Sequence, residues 1–303
     1  MARASQRIRN GHGANALLDG FLALADDWIA RATDARGLAW FRGAVDDVVH
    51  AAGDRALGIA IGLAPRRLGK ADLALTAEDA ARAAALRPGF DPRDWSVDQL
   101  ARVALMVASH DGDNAGFAAR LDNFCTTAEL NELIALCRGL PIYPGAALIE
   151  PRAREAVRSG MRPVFEAVAH NNPYPGEIFT EDAWNQMVVK AIFTGSSLWP
   201  IQGLDRRANP RLARMLVALA QERWAADRPV SGELWRCVAP HADAEGVAAL
   251  THAWDTGGEK HRLAVALALW HPAGVASNLP FRDQIGPFHA RLTDQNIAWR
   301  DLA

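Results

Sequence analysis

The side chains best able to do chemistry crowd into one stretch, Val164 to Phe193, where His170, Asn172, Tyr174, Trp184, Asn185 and Lys190 lie close together. Imidazole, amide, phenol, indole and ammonium groups make directional hydrogen bonds or stack on planar ligands. Around them about one residue in five is alanine, and nearly every base is arginine, with lysine only at 70, 190 and 260. A lysine at 190 supplies a compact ammonium whose charge burial can tune, which arginine does not. The next loop, Gly195 to Pro210, adds Asp205, Arg207 and Asn209. Arg207 there can clamp a carboxylate or phosphate, or hold the loop through its carbonyls, with Asp205 as a candidate ion partner. Long loops in compact proteins are commonly functional.

Two chemical uses follow. As a binding surface, Tyr174 and Trp184 stack, Asn172 and Asn185 hydrogen-bond, and Lys190 with Arg207 answers an acidic group. As a metal-independent enzyme, Lys190 acts as general base or Schiff-base former with His170 as proton shuttle, which needs a lowered lysine pKa and a histidine within hydrogen-bond reach. Plain structure competes with both. Asn171-Asn-Pro-Tyr-Pro-Gly176 is also turn chemistry. Asp182, Gln186 and Lys190, spaced by four, form an ordinary solvated helix face. Trp184 and Met187 suit a core, and His170 suits the negative end of a helix dipole.

Several classes drop out. The chain has no HExxH, GxSxG, Walker loop or GxGxxG, so neither a metal nor another cofactor is expected. His252, His261 and His271 lack carboxylates at ligand spacing. Cys125, Cys137 and Cys237 form no CxxC pair and read as buried small side chains in a reducing cytoplasm. A formal charge of -2 gives no electrostatic case for nucleic acid. The longest uncharged apolar run, Ala56 to Ala64, is about half a membrane span.

The elements that must position these residues are helices. Alanine and arginine favour helix, and apolar residues recur at helical spacing, as in Leu17, Phe21, Leu24, Trp28 and again in Trp184, Met187, Val188, Ile192. Ser96-Val-Asp-Gln99 and Thr126-Thr-Ala-Glu129 read as capping boxes, Thr180 and Asn209-Pro210 as helix starts, and His271-Pro272 as a stop. About a dozen helices are expected, joined by short turns. The run 210–226, 232–239, 243–255, 258–270 reads as successive hairpins, so the expected fold is all-α: stacked antiparallel helix pairs in a HEAT/armadillo-like α-solenoid, with a compact multi-helix bundle as the alternative. Residues 1–13 read as a basic tail and 14–303 as a single helical-repeat domain with no sharp internal boundary. The least regular interior part is 64–95, and 273–303 reads as a loose end.

The run His170-Asn-Asn-Pro-Tyr-Pro, then Phe179 to Phe193, then Gly203 to Leu216, ending in Glu222-Arg-Trp224 and Glu233-Leu-Trp235, resembles the EboA family over about 160–240. The resemblance implies a cytoplasmic component of a secondary-metabolite biosynthesis and traffic assembly. Implied partners are other proteins of the cluster, among them a prenyltransferase-like membrane protein and barrel enzymes, together with a small metabolite or carrier peptide. It points to His170, Asn172, Tyr174, Trp184, Asn185, Lys190, Asp205, Arg207 and Asn209 as matching positions and assigns none of them a role. Taken together, a non-catalytic adaptor or ligand binder working through 170–209 is expected, with the Lys190 and His170 enzyme as the alternative.

Overall fold

The computed structural model describes residues 14–51, 53–270 and 279–303, and among them it is all-helical apart from one isolated bridge between Asp72 and Ser96. The expected tail at 1–13 and the His271-Pro272 stop lie outside the described residues. The chain divides into two compact units, one through Ile178 and one from Phe179.

The first unit contains α1 (Ala14–Ala32), α2 (Ala35–His50), α3 (Arg55–Leu68), α4 (Ala77–Leu86), α5 (Val97–Ala108), α6 (Asn114–Thr127), α7 (Leu130–Arg138), α8 (Glu150–Arg158), α9 (Arg162–Ala169) and α10 (Tyr174–Ile178). Its axis is α5, buried along its whole length except at Gln99. A helix apolar on every side belongs inside a core, and α5 packs against α1, α2, α3 and α7. A solenoid unit packs only on its neighbours, so this ring of helices around one axis is the compact bundle. The buried charges on α5 are Asp98 and Arg102; Arg102, 1% exposed, donates from Nη1 to Asp98 Oδ2 at 3.0 Å and from Nε to the Ile61 carbonyl at 3.2 Å. A charge in a core persists only when its donors are used in this way.

The second unit contains α11 (Glu181–Thr194), α12 (Leu204–Arg207), α13 (Pro210–Ala225), a 3-10 turn at Gly232–Leu234 that runs into α14 (Trp235–Val238), α15 (Ala244–Thr256), α16 (Glu259–Ala268), α17 (Gly286–Asp294) and α18 (Trp299–Leu302). Within it α11 packs on α13, α13 on α14 and α15, and α16 on α14, α15, α17 and α18. Trp184, Trp235 and Trp254 are fully buried there.

The helix starts at Thr180 and Asn209 are as expected: Thr180 Oγ1 accepts from the Ala183 amide at 3.3 Å, and Asn209 Oδ1 from Leu212 at 2.8 Å. At Ser96, Gln99 reaches back to the cap amide at 3.2 Å, while the serine hydroxyl goes to Asp98 at 2.6 Å. The box read at Thr126 is corrected. Both Thr126 and Thr127 lie in the last turn of α6, with Thr126 Oγ1 on the Asp122 carbonyl at 2.8 Å, and the next helix starts after Glu129. A threonine hydroxyl satisfied four residues back inside a helix has no need to cap the next one. The loose end read at 273–303 is corrected over 279–303, because Phe281, Ile285, Leu292 and Leu302 are buried and Phe281 stacks on Trp254 at 4.5 Å.

Candidate functional site

The candidate residues fall into both units. His170, Asn172 and Tyr174 belong to the first; Trp184, Asn185, Lys190, Asp205, Arg207 and Asn209 belong to the second.

In the first unit, α9 ends at His170, whose amide donates to Glu166 at 2.9 Å. Asn171 turns the chain with φ of 49°, a left-handed conformation that asparagine tolerates better than most residues. Asn172 is buried. Its Oδ1 takes the Tyr174 amide at 3.0 Å and its Nδ2 donates to the Ala167 carbonyl at 3.3 Å, closing an Asx turn that starts α10. The Tyr174 ring is buried, its hydroxyl donates to the Ala146 carbonyl at 2.5 Å, and burial pushes its pKa well above the ordinary phenol value.

In the second unit the side chains meet one another. Asn185 of α11, 1% exposed, and Asn209, the cap of α13, exchange amide hydrogen bonds at 2.9 and 3.3 Å. Asn209 also donates to the Arg207 carbonyl at 3.1 Å. Arg207 sends Nη2 to the Phe179 carbonyl at 2.8 Å and lays its guanidinium over the Trp184 ring, 4.8 Å from the centroid. Burial and the neighbouring Arg206 lower its pKa, with Glu181 opposing. The two helices are thus fastened by one amide pair and one guanidinium that closes on the chain entering α11.

Lys190 is half-buried on α11 and its carbonyl accepts from Thr194 Oγ1 at 2.9 Å. The pairing of Asp205 with Arg207 read from the sequence is corrected. Asp205 holds Arg236 in a bidentate pair at 2.5 and 2.6 Å, because α12 packs against α14 and sets the two side chains face to face. Asp182, on the solvated face of α11, pairs with Arg211.

Sequence reading passed over the residue that fixes the long loop. Glu233 is 2% exposed, and its two carboxylate oxygens accept the amides of Leu198 at 3.0 Å and Trp199 at 2.6 Å. Desolvation raises its pKa, and those two amides together with Arg236 and Lys260 pull it back. Its signal in the sequence is an isolated acid between Val230 and the apolar run Leu234, Trp235, Cys237. The loop so held presents Trp199, 43% exposed, six residues after Phe193, which is 64% exposed in the last turn of α11.

A family model described as metabolite traffic protein EboA matches residues 21–239. The chain belongs to the EboA family. The EboA match runs from α1 through α14, well beyond the 160–240 stretch that carries the resemblance in the sequence, and it includes all nine candidate positions together with Glu233. No curated protein and no solved structure matches the chain. Among the described residues, no helix is long and apolar enough to cross a membrane.

Proposed function

We propose that this EboA-family chain is a non-catalytic helical adaptor of a cytoplasmic secondary-metabolite assembly, docking another protein of that assembly through the second unit's part of the 170–209 region. The observation that carries the reading is the presentation of Trp199. Its indole stands partly in solvent while its amide is pinned by the buried carboxylate of Glu233 and the preceding Leu198 is fully buried. A rigidly mounted aromatic loses little conformational freedom on binding, and tryptophan is enriched among the residues that dominate interface energies. Phe193 supplies a second exposed apolar group on the helix leading into the same loop. Asn185, Asn209, Arg207 and Trp184 then serve as the brace that holds α11 and α13 under that surface, and Lys190, half-buried on α11, supplies a charge beside it. The family description, metabolite traffic, supports an assembly that handles a metabolite or its carrier peptide.

The test is affinity capture from the native cells with the full chain as bait, read by mass spectrometry. Wild type is expected to retain proteins of one biosynthetic assembly, and Trp199→Ala with Phe193→Ala to lose them at an unchanged melting temperature. Capture that survives the double substitution, or wild-type bait that retains no such protein, overturns the proposal.

A further inference from the structure

A groove of about 510 Å³ runs between α2 and α3 in the first unit, lined by Trp40, Gly43 and Asp47 of α2 and by Ala56, Ile59 and Leu63 of α3. Its middle is apolar and open. Ile59 is 53% exposed, and a side chain added at Gly43 would meet nothing within 4 Å. The charges along the groove are ordered. On α2, Arg36, Trp40, Gly43 and Asp47 follow at intervals of four, three and four, which is one helix stripe, and on α3 Ala56, Ala60, Leu63 and Arg67 do the same. The hairpin is antiparallel: the Arg67 carbonyl oxygen lies 3.2 Å from where a Cβ on Gly37 would sit. Arg36 and Arg67 therefore share one end of the groove, and Asp47 holds the other, about 16 Å away along α2. Neighbouring charges are answered, Arg42 by Asp26, Asp54 by Arg120 and Asp46 by His50, whereas among the described residues Arg36, Arg67 and Asp47 pair with no side chain of opposite charge. Arg55 and Arg66 fall about a quarter turn to the side of the stripe.

We propose that this face joins a second copy of the chain, the two hairpins lying face to face about a two-fold axis that runs across their helices. That axis reverses one groove on the other. Asp47 of each copy then meets Arg36 and Arg67 of the other, and Ile59, near the middle, enters the groove opposite. A two-fold axis along the helices would instead set Arg36 and Arg67 against themselves. An isologous contact needs a surface that complements itself, and a basic end, an apolar middle and an acidic end in a row do so in one orientation only. Two helices present a face about 20 Å wide, which places the contact among the small, reversible interfaces. The proposal goes beyond the adaptor reading, which uses the other unit and a different protein, and it stands or falls without that reading.

Sedimentation velocity of the purified full chain from about 1 µM to about 1 mM tests it. A monomer and dimer in concentration-dependent exchange are expected, with the dimer weakened by added salt because its ion pairs are exposed at the rim. Asp47→Arg sets like charges against each other and should weaken the dimer at least tenfold. Adding Arg36→Asp and Arg67→Asp to that variant reverses both ends together and should restore it. All three positions are exposed, so the variants should keep the melting temperature. Trp199→Ala with Phe193→Ala, in the other unit, should leave the dimer intact. A chain that stays monomeric throughout overturns the proposal and leaves the groove to a different partner. A dimer that ignores Asp47→Arg, is not restored by the triple reversal, or is lost with Trp199 and Phe193 overturns it as well.

Discussion

Asn185 and Asn209 face each other as reciprocal partners, Asn209 Nδ2 donating to Asn185 Oδ1 at 2.9 Å and Asn185 Nδ2 returning a bond to Asn209 Oδ1 at 3.3 Å. The second residue also caps α13, so one amide both starts a helix and ties it to its neighbour. Asn185→Ala strands a buried amide and is expected to destabilise the protein by about 1–3 kcal/mol, with Asn209→Ala costing more because the cap is lost as well. In a double-mutant cycle by urea unfolding the two losses should fall short of additivity by at least about 0.5 kcal/mol. Full additivity would show that the pair is not coupled.

Arg207 serves a carbonyl and an aromatic face at once. Lysine keeps the charge and loses the planar fork. Arg207→Lys should therefore destabilise the protein nearly as much as Arg207→Ala, on the order of 1–2 kcal/mol by urea unfolding. Full retention of stability in the lysine variant would mean that charge alone matters at this position.

In the first unit, Asp79 is buried where α4 meets α1 and accepts from Arg31 at 2.6 Å and from the Trp28 indole, the Thr76 amide and the Thr76 hydroxyl at 2.9 Å each. The Arg31 hydrogen bond is the largest influence holding its carboxyl far below the usual carboxylate range, against desolvation. A folded-state pKa below the unfolded value of about 3.9 gives stability that is complete above that pH and lost as pH falls through the folded-state value. Unfolding from pH 6 down to pH 2 should show wild type and Asp79→Asn converging as acid is added. A constant gap between them would remove the carboxylate from the account.

The three cysteines are free and buried, and burial raises the thiols of Cys125 and Cys237 to about 12 and that of Cys137 well above the ordinary thiol value. Thiolate is the reactive form. Native protein at pH 8 should therefore react with a thiol reagent orders of magnitude more slowly than unfolded protein, and three equivalents should appear only on unfolding. Rapid labelling of a single native thiol would locate an opening in the fold.

Glu233 gives the loop prediction. Glu233→Gln keeps the shape but turns one acceptor into a donor facing an amide, so one of the Leu198 and Trp199 bonds must break. Proteolysis between Gly195 and Gly203 should rise several-fold while the melting temperature falls only modestly. An unchanged cleavage rate would mean that the loop is held by its apolar contacts instead.

How much of this was legible beforehand follows from the range of the forces. Helix type and most starts depend on residues a turn apart: Thr180 and Asn209 cap their helices whatever surrounds them. The same local rule misplaced a start at Thr126, because a hydroxyl can bond backward as well as forward and only the continuing helix decides which. The terminal region at 279–303 was missed because its anchors, Phe281 and Leu302, are single apolar residues without a long period around them.

The sequence by itself determined that the chain is helical, which stretch is richest in polar and aromatic chemistry, and which family it joins, since composition, spacing and motif order are properties of the chain. The tertiary structure decided that Asn185 answers Asn209, that Asp205 answers Arg236 rather than Arg207, and that Glu233 reaches across 34 and 35 residues to grip a loop. Hydrogen bonds and ion pairs form within about 3 Å, and which groups come that close is set by how helices cross, a quantity no local pattern contains.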